Sequence, residues 1–257
     1  MPQKHIWLPM IGAIAIVIVL VILGLTITKP TVVPAPDLVR AETKVIQQDD
    51  GLSRVDIEYP YVIGVSEEVN NAIQTILENR VQEFKKIVFE NEQARIETNK
   101  TLPQNYQRPA EPSPGQYWYN LYIRYQSGVI DAKTVSVVFF VDEYSGGAHG
   151  NKSFIPFNYD IVNKEQIILA DVFSQKSDYL QYISDFTYTD IIRQMKERGI
   201  DDPDAEWIKT GTAPIEDNFS SFIINGDNTI TIFIPPYQVA AYALGEFDVV
   251  MPINATN

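Results

Sequence analysis

Apolar and charged residues alternate in "RVDIEYPYV", with Val55, Ile57 and Tyr59 set against Asp56 and Glu58. This period of two predicts a strand with one buried face. Pro60 lacks a backbone N–H for the ladder, so it either ends this strand or places it at a sheet edge. The period then lengthens. Ser66 is suited to cap a helix, Glu67 and Glu68 follow in its first turn, and Val69, Ile73, Ile76, Leu77, Val81, Phe84 and Val88 recur at helical spacing. Four prolines in "TLPQNYQRPAEPSPG", residues 101–115, interrupt the pattern and predict a surface loop at a seam between subdomains.

Beyond the loop, "QYWYNLYIRY" and "KTVSVVFFVDE" predict two strands joined around Ser127 and Gly128. The second is apolar on both faces and belongs in the middle of a sheet. "SFIPFNYDIV" and "QIILADVF" predict shorter elements separated by Asn163, Lys164 and Glu165. A second amphipathic helix is predicted over residues 177–198, with Leu180, Ile183, Phe186, Ile191, Ile192 and Met195 inward and Gly199 closing it. "SSFIIN", "NTITIFIP" and "FDVVMPI" predict three final strands, the first two linked through Gly226 and Asp227. Strands and helices are segregated rather than alternating. The fold class expected is α+β, a mainly antiparallel sheet with two amphipathic helices, preceded by one N-terminal transmembrane helix.

That last element rests on residues 6–28, which carry no charge and would span about 34 Å as a helix. The segment is longer than a signal-peptide core and lacks a good cleavage site, so an uncleaved membrane anchor is expected. A Pro-rich stalk over residues 29–40 would hold the remainder off the bilayer. Subdomains are expected over residues 41–110 and 111–257, outside the cell membrane.

Charge narrows the partners. Only Lys4 among the 20 basic side chains precedes residue 29, so 19 bases face 33 acids in the remainder, a net charge of −14. Such a surface excludes nucleic acid and favours a basic partner. The chain has no cysteine, which removes disulfides, thiolate metal sites and cysteine nucleophiles.

Candidate chemistry gathers in "YSGGAHGN", residues 144–151. Its histidine, His149, is the only one beyond His5, too few for a histidine-based metal site, and no serine stands in a G-x-S-x-G elbow. No metal, no cofactor and no catalytic residue are expected. Gly146 and Gly147 are suited to a sharp turn and Gly150 to close backbone approach, while Tyr144, His149 and Asn151 are candidate ligand-binding residues. Asp142, Glu143, Asp160 and Asp171 leave a paired-carboxylate glycosidase open. Tyr117, Tyr119 and Tyr125 share one strand face and Trp118 and Tyr122 the other, suited to a core or to stacking on sugars.

Taken in order, "YSGGAHGN", "FNYD", "ILADVF", "NFSSFII" and "IPPYQVAAYALG" resemble the C-terminal domain of RsiV-like proteins. "IEYPYVIGVSEEVNNAIQTILENRVQEF" resembles its companion domain in PdaC-type peptidoglycan deacetylases. The resemblance covers roughly residues 45–255 and adds Tyr237 and Gln238 to the candidate ligand-binding residues. It implies a membrane-anchored, extracytoplasmic binding module, not an enzyme, for a lysozyme-like basic protein or peptidoglycan. A cell-wall glycan hydrolase or a structural envelope protein are the alternatives. With five residues before the apolar segment and Asn257 as the last, neither the sigma-binding part of the anti-sigma relatives nor the deacetylases' catalytic domain is expected here.

Overall fold

Alternation becomes a six-stranded sheet in the computed structural model of the protein, which describes residues 38–113 and 116–254. The strands lie side by side in chain order: β1 (Arg40–Asp49), β2 (Ser53–Ile63), β3 (Tyr119–Ile130), β4 (Thr134–Tyr144), β5 (Asn151–Asp160) and β6 (Glu165–Gln166). β2 and β3 run parallel from Ser53 opposite Tyr119 to Ile57 opposite Ile123, and the other neighbours are antiparallel. A parallel pair needs a long crossover, supplied by α1 (Glu67–Thr101). Ile73, Leu77 and Phe84 of that helix are fully buried in one core with Ile57, Leu121, Ile123 and Phe139 of the sheet. Pro60 lies inside β2 and opposite Thr43, beyond the last β2–β3 pair, so the strand there has a neighbour on one side only.

A second sheet of β7 (Phe222–Ile224), β8 (Thr229–Ile234) and β9 (Phe247–Pro252) is antiparallel throughout. Its core contains Ile230, Ile232, Val249 and Met251 with Ile183, Ile191 and Met195 of α3 (Tyr179–Glu197) and Ile208 of α4 (Ala205–Gly211). Short α2 (Leu169–Val172) adds Leu169. The two sheets meet through Val138, Ile223 and Phe233, and Phe140 packs edge-on against Phe233 at 5.3 Å. A buried polar bridge reinforces the junction. Asn158 donates from Nδ2 to the Phe222 carbonyl at 2.9 Å, Ser136 Oγ donates to Asn158 Oδ1 at 2.6 Å, and the Ile224 N–H donates to Ser136 Oγ at 2.7 Å. Buried polar groups so paired add directionality to an apolar junction.

The whole is a mixed α/β fold with several helices and two sheets, and its described residues form one compact unit. The sheets are mainly antiparallel, with β2–β3 the one parallel pair among the described strands, and the expectation of two helices is corrected by α2 and α4, which stand beside the two longer ones. Gly128 also lies within β3 rather than in the turn after it, at a register irregularity between Ser127 and Ile130. The reversal falls at Asp131, whose carboxylate accepts from the N–H groups of Lys133 and Thr134. Glycine is required at 128 because a Cβ would stand 2.1 Å from the Ile224 carbonyl oxygen. The membrane span read over residues 6–28 lies outside the described residues, among which no helix is long and apolar enough to cross a membrane.

Tyr179 of α3 donates its hydroxyl to Glu216 at 2.7 Å. That hydrogen bond first, and burial second, push its phenol up to about 12. A raised pKa means that this stabilisation is complete below the unfolded value of about 10 and disappears as pH rises through about 12. The stability difference between the protein and Tyr179→Phe is therefore expected to be constant from pH 7 to 9 and to shrink above pH 10. Denaturant titrations across that range check it, and a difference independent of pH would contradict it.

Candidate functional site

His149 is carried on the hairpin between β4 and β5. Asn91 of α1 donates to the Ser145 carbonyl at 2.6 Å, and Tyr144 donates across the loop to the Gly147 carbonyl at 2.9 Å. Gly146 and Gly147 both have positive φ, 117° and 106°, a region that an L side chain rarely enters. At the base, buried Glu143 takes an ion pair from Arg80 of α1. The loop is thus held from the helix side and shaped by its own glycines.

A second segment meets it from the other sheet. After β8 the chain passes through Tyr237, a non-glycine residue at φ 72°, to Tyr242. A bulky side chain in this region stores strain that surrounding contacts must hold. Gln238 supplies them, donating from Nε2 to the carbonyls of Gly211 at 2.7 Å and Asn218 at 2.9 Å. Trp207 Nε1 donates to the Tyr237 carbonyl at 3.2 Å. Farther along, Arg198 donates to the carbonyls of Leu244 and Glu246 and lies over the Phe247 ring.

Where the two segments meet, the His149 ring stacks on Tyr242 with centroids 4.3 Å apart and planes 25° apart. Tyr237 stands 5.4 Å from Tyr242, and its hydroxyl lies 3.1 Å from His149 Nε2. The other ring nitrogen, Nδ1, faces the Gly150 carbonyl oxygen at 2.7 Å. A carbonyl only accepts, so a neutral imidazole carries its proton on Nδ1 and accepts from the Tyr237 hydroxyl on Nε2. His149, Tyr237 and Trp207 are exposed and Tyr242 is half-buried. The result is an aromatic surface able to lie against an apolar ligand face; both imidazole nitrogens are engaged within the protein, and the Tyr237 hydroxyl, having donated to His149, keeps its oxygen lone pairs to accept from the ligand's edge.

Of the ligand-binding residues read from sequence, His149 and Tyr237 come together, while Tyr144 and Gln238 shape the loops that carry them. Asn151 begins β5 opposite Glu143 and is exposed. Tyr242 and Trp207 were not among the candidates. Tyr242 lies five residues past Tyr237 in the same quoted stretch, which was its available signal. Three of the four candidate carboxylates are engaged elsewhere, Glu143 with Arg80, Asp160 with the N–H groups of Val162 and Asn163, and Asp171 with that of Ile168, while Asp142 is exposed on β4. Among the described residues no group of three or more histidine or acidic side chains could hold a metal ion.

Residues 46–152 match the family model described as Deacetylase PdaC, and residues 170–254 match the one described as Protein of unknown function (DUF3298). The chain joins a PdaC-type segment to a DUF3298-type segment. It is 30% identical over 186 residues to the peptidoglycan-N-acetylmuramic acid deacetylase PdaC of Bacillus subtilis (strain 168), covering 72% of this chain and 35% of that protein. The chain therefore spans about a third of the length of this relative. Two crystal structures share the fold at a TM-score of 0.51 and 16% identity. One is a DUF3298 family member from Bacteroides fragilis, with 83% of this chain and 90% of that one covered. The other is a DUF3298 family protein from Pseudomonas aeruginosa PAO1, with 84% and 92% covered.

These findings correct two expectations. Likeness to a deacetylase overturns the reading of the chain as a non-enzyme. The matches are to a PdaC-type and a DUF3298-type segment, and not to the RsiV-like, lysozyme-binding signal-anchor assignment read from the sequence.

Proposed function

We propose that this chain acts on peptidoglycan in the deacetylation of its amino sugars, and that a sugar ring of the glycan strand is held at the His149, Tyr237 and Tyr242 surface. The stack of His149 on Tyr242 carries the reading, because it forms an exposed apolar platform whose polar edge is already oriented. A pyranose offers complementary chemistry, with an apolar face for the rings and hydroxyl or acetamido groups at its rim. Deacetylation adds water to the acetamido carbonyl, breaks the C–N bond, and leaves acetate and a free amine. The cluster's contribution is to hold the ring so that this bond is presented in one orientation. A membrane-associated, extracytoplasmic placement is consistent with the PdaC-type likeness and with a substrate in the cell wall.

Incubation of the full chain with N-acetylated peptidoglycan tests the reaction. Acetate release is the expected result, accompanied by an equal number of new free amines. Release of reducing ends without acetate would contradict deacetylation and indicate glycan hydrolysis.

A further inference from the structure

The chain has a net charge of −13, yet one of its cavities, of about 430 Å³, is lined by two arginines and three carboxamides, with no acid. The arginines are Arg95 and Arg108, the carboxamides Asn99, Gln104 and Gln107. Both guanidiniums lie over the Trp118 ring, 4.8 Å and 5.0 Å from its centre.

Arg95 is fully committed. Its Nε donates to Glu92 at 2.9 Å, its Nη2 donates to the same carboxylate, and its Nη1 reaches the carbonyls of Arg108 at 3.4 Å and Pro109 at 3.2 Å. Hydrogen bonds from Arg95 chiefly hold the Glu92 carboxyl below the usual carboxylate range, with Arg108 adding a smaller pull. Glu92 therefore stays ionised and occupied by Arg95. The Arg108 backbone is clamped too, its carbonyl accepting from Asn99 Nδ2 at 2.7 Å and its N–H donating to Asn99 Oδ1 at 3.2 Å. Its guanidinium, by contrast, meets no acceptor among the described residues. Two positive charges against one negative charge leave this corner with a net charge of +1.

We propose that this cavity binds the free carboxylate of a short peptide, with Arg108 as the principal donor and Gln104 beside it. A guanidinium stacked on an aromatic ring keeps its in-plane N–H groups available, and their fork matches a planar carboxylate bidentately. The volume suits a ligand of a few residues, and Ile96 and Pro109 give it apolar wall. The inference rests on the cell-wall reading only for the origin of such a peptide in peptidoglycan. The binding site itself is separate from the His149 surface and is tested without glycan.

The full chain is titrated calorimetrically with N-acetyl-alanyl-alanine, with the same peptide amidated at its C-terminus, and with inorganic phosphate. The free-acid peptide is expected to bind at least tenfold more tightly than either alternative. Arg108→Gln is expected to lose at least tenfold, and Arg108→Lys, which keeps the charge and loses the fork, most of that. Arg108 is exposed, and unchanged melting of Arg108→Gln will show that its loss is local. Equal binding of acid and amide, tighter binding of phosphate, or an Arg108→Gln chain that binds like its parent would each overturn the proposal. Retention of the chain on peptidoglycan bearing no peptides distinguishes this outcome from failure of the sugar-binding reading.

Discussion

Arg80→Met is expected to lower the unfolding free energy by about 3–5 kcal/mol, the cost of leaving a buried charge without its partner. Glu143 is only 5% exposed and its carboxylate faces Arg80 from α1, whose side chain is 13% exposed. Methionine fills much of the same volume, so the loss is electrostatic rather than steric. Adding Glu143→Gln removes the orphaned charge and is expected to restore part of the stability, since an uncharged amide is cheaper to bury than a carboxylate. Denaturant unfolding of the two single variants and the double variant checks this. A single variant within about 0.5 kcal/mol of the parent would show that the pair is solvated in solution. Because Glu143 is the next-to-last residue of β4, which leads into the His149 loop, the same variants are expected to loosen that loop.

This pair also marks what the sequence could and could not display. Glu143 was visible as an acid at the end of an apolar strand, but its partner lies 63 positions earlier on a helix, and no local period links them. The helical face of α1 was largely legible, because Val69, Ile73, Leu77, Val81, Phe84 and Val88 repeat with the helix itself and are buried, while Ile76, read with them, is partly buried and the buried Asn70 carried no apolar signal. β1 was not anticipated, since an edge strand exposed along most of its length carries no alternation to detect. Gly128 misled for a physical reason: a glycine required by a neighbouring backbone looks the same in sequence as one required by a turn. At the site, His149 was singled out by composition and Tyr237 by resemblance. Their meeting depends on Gln238, Gly211 and Trp207, whose roles are defined only by the packing of α4 against the segment after β8.

That packing underlies the second large effect. Gly211→Ala is expected to destabilise the chain by roughly 2 kcal/mol and to weaken glycan binding as well. A Cβ on Gly211 would stand 2.0 Å from the Gln238 carbonyl oxygen and 2.9 Å from Val239 Cγ1. The first contact is backbone and cannot rotate away, so the segment bearing Tyr237 must move and its hydrogen bonds from Gln238 and Trp207 must stretch. Alanine's better helix propensity offsets only about 1 kcal/mol of this. Gly226→Ala is the control, because nothing lies within 4 Å of the Cβ it would add. Thermal melting and glycan binding should both fall for Gly211→Ala and hold for Gly226→Ala; equal behaviour of the two would remove the close-approach argument.

The aromatic surface itself is tested most directly by equilibrium binding of the full chain to soluble N-acetylated glycan fragments, comparing Tyr242→Ala with Tyr106→Ala. Tyr106 is 71% exposed and outside the cluster, so its removal controls for the loss of any surface tyrosine. The account predicts that Tyr242→Ala binds at least tenfold more weakly, about 1.4 kcal/mol, with its fold intact, while Tyr106→Ala binds like the parent. Identical binding by Tyr242→Ala and the parent would contradict it.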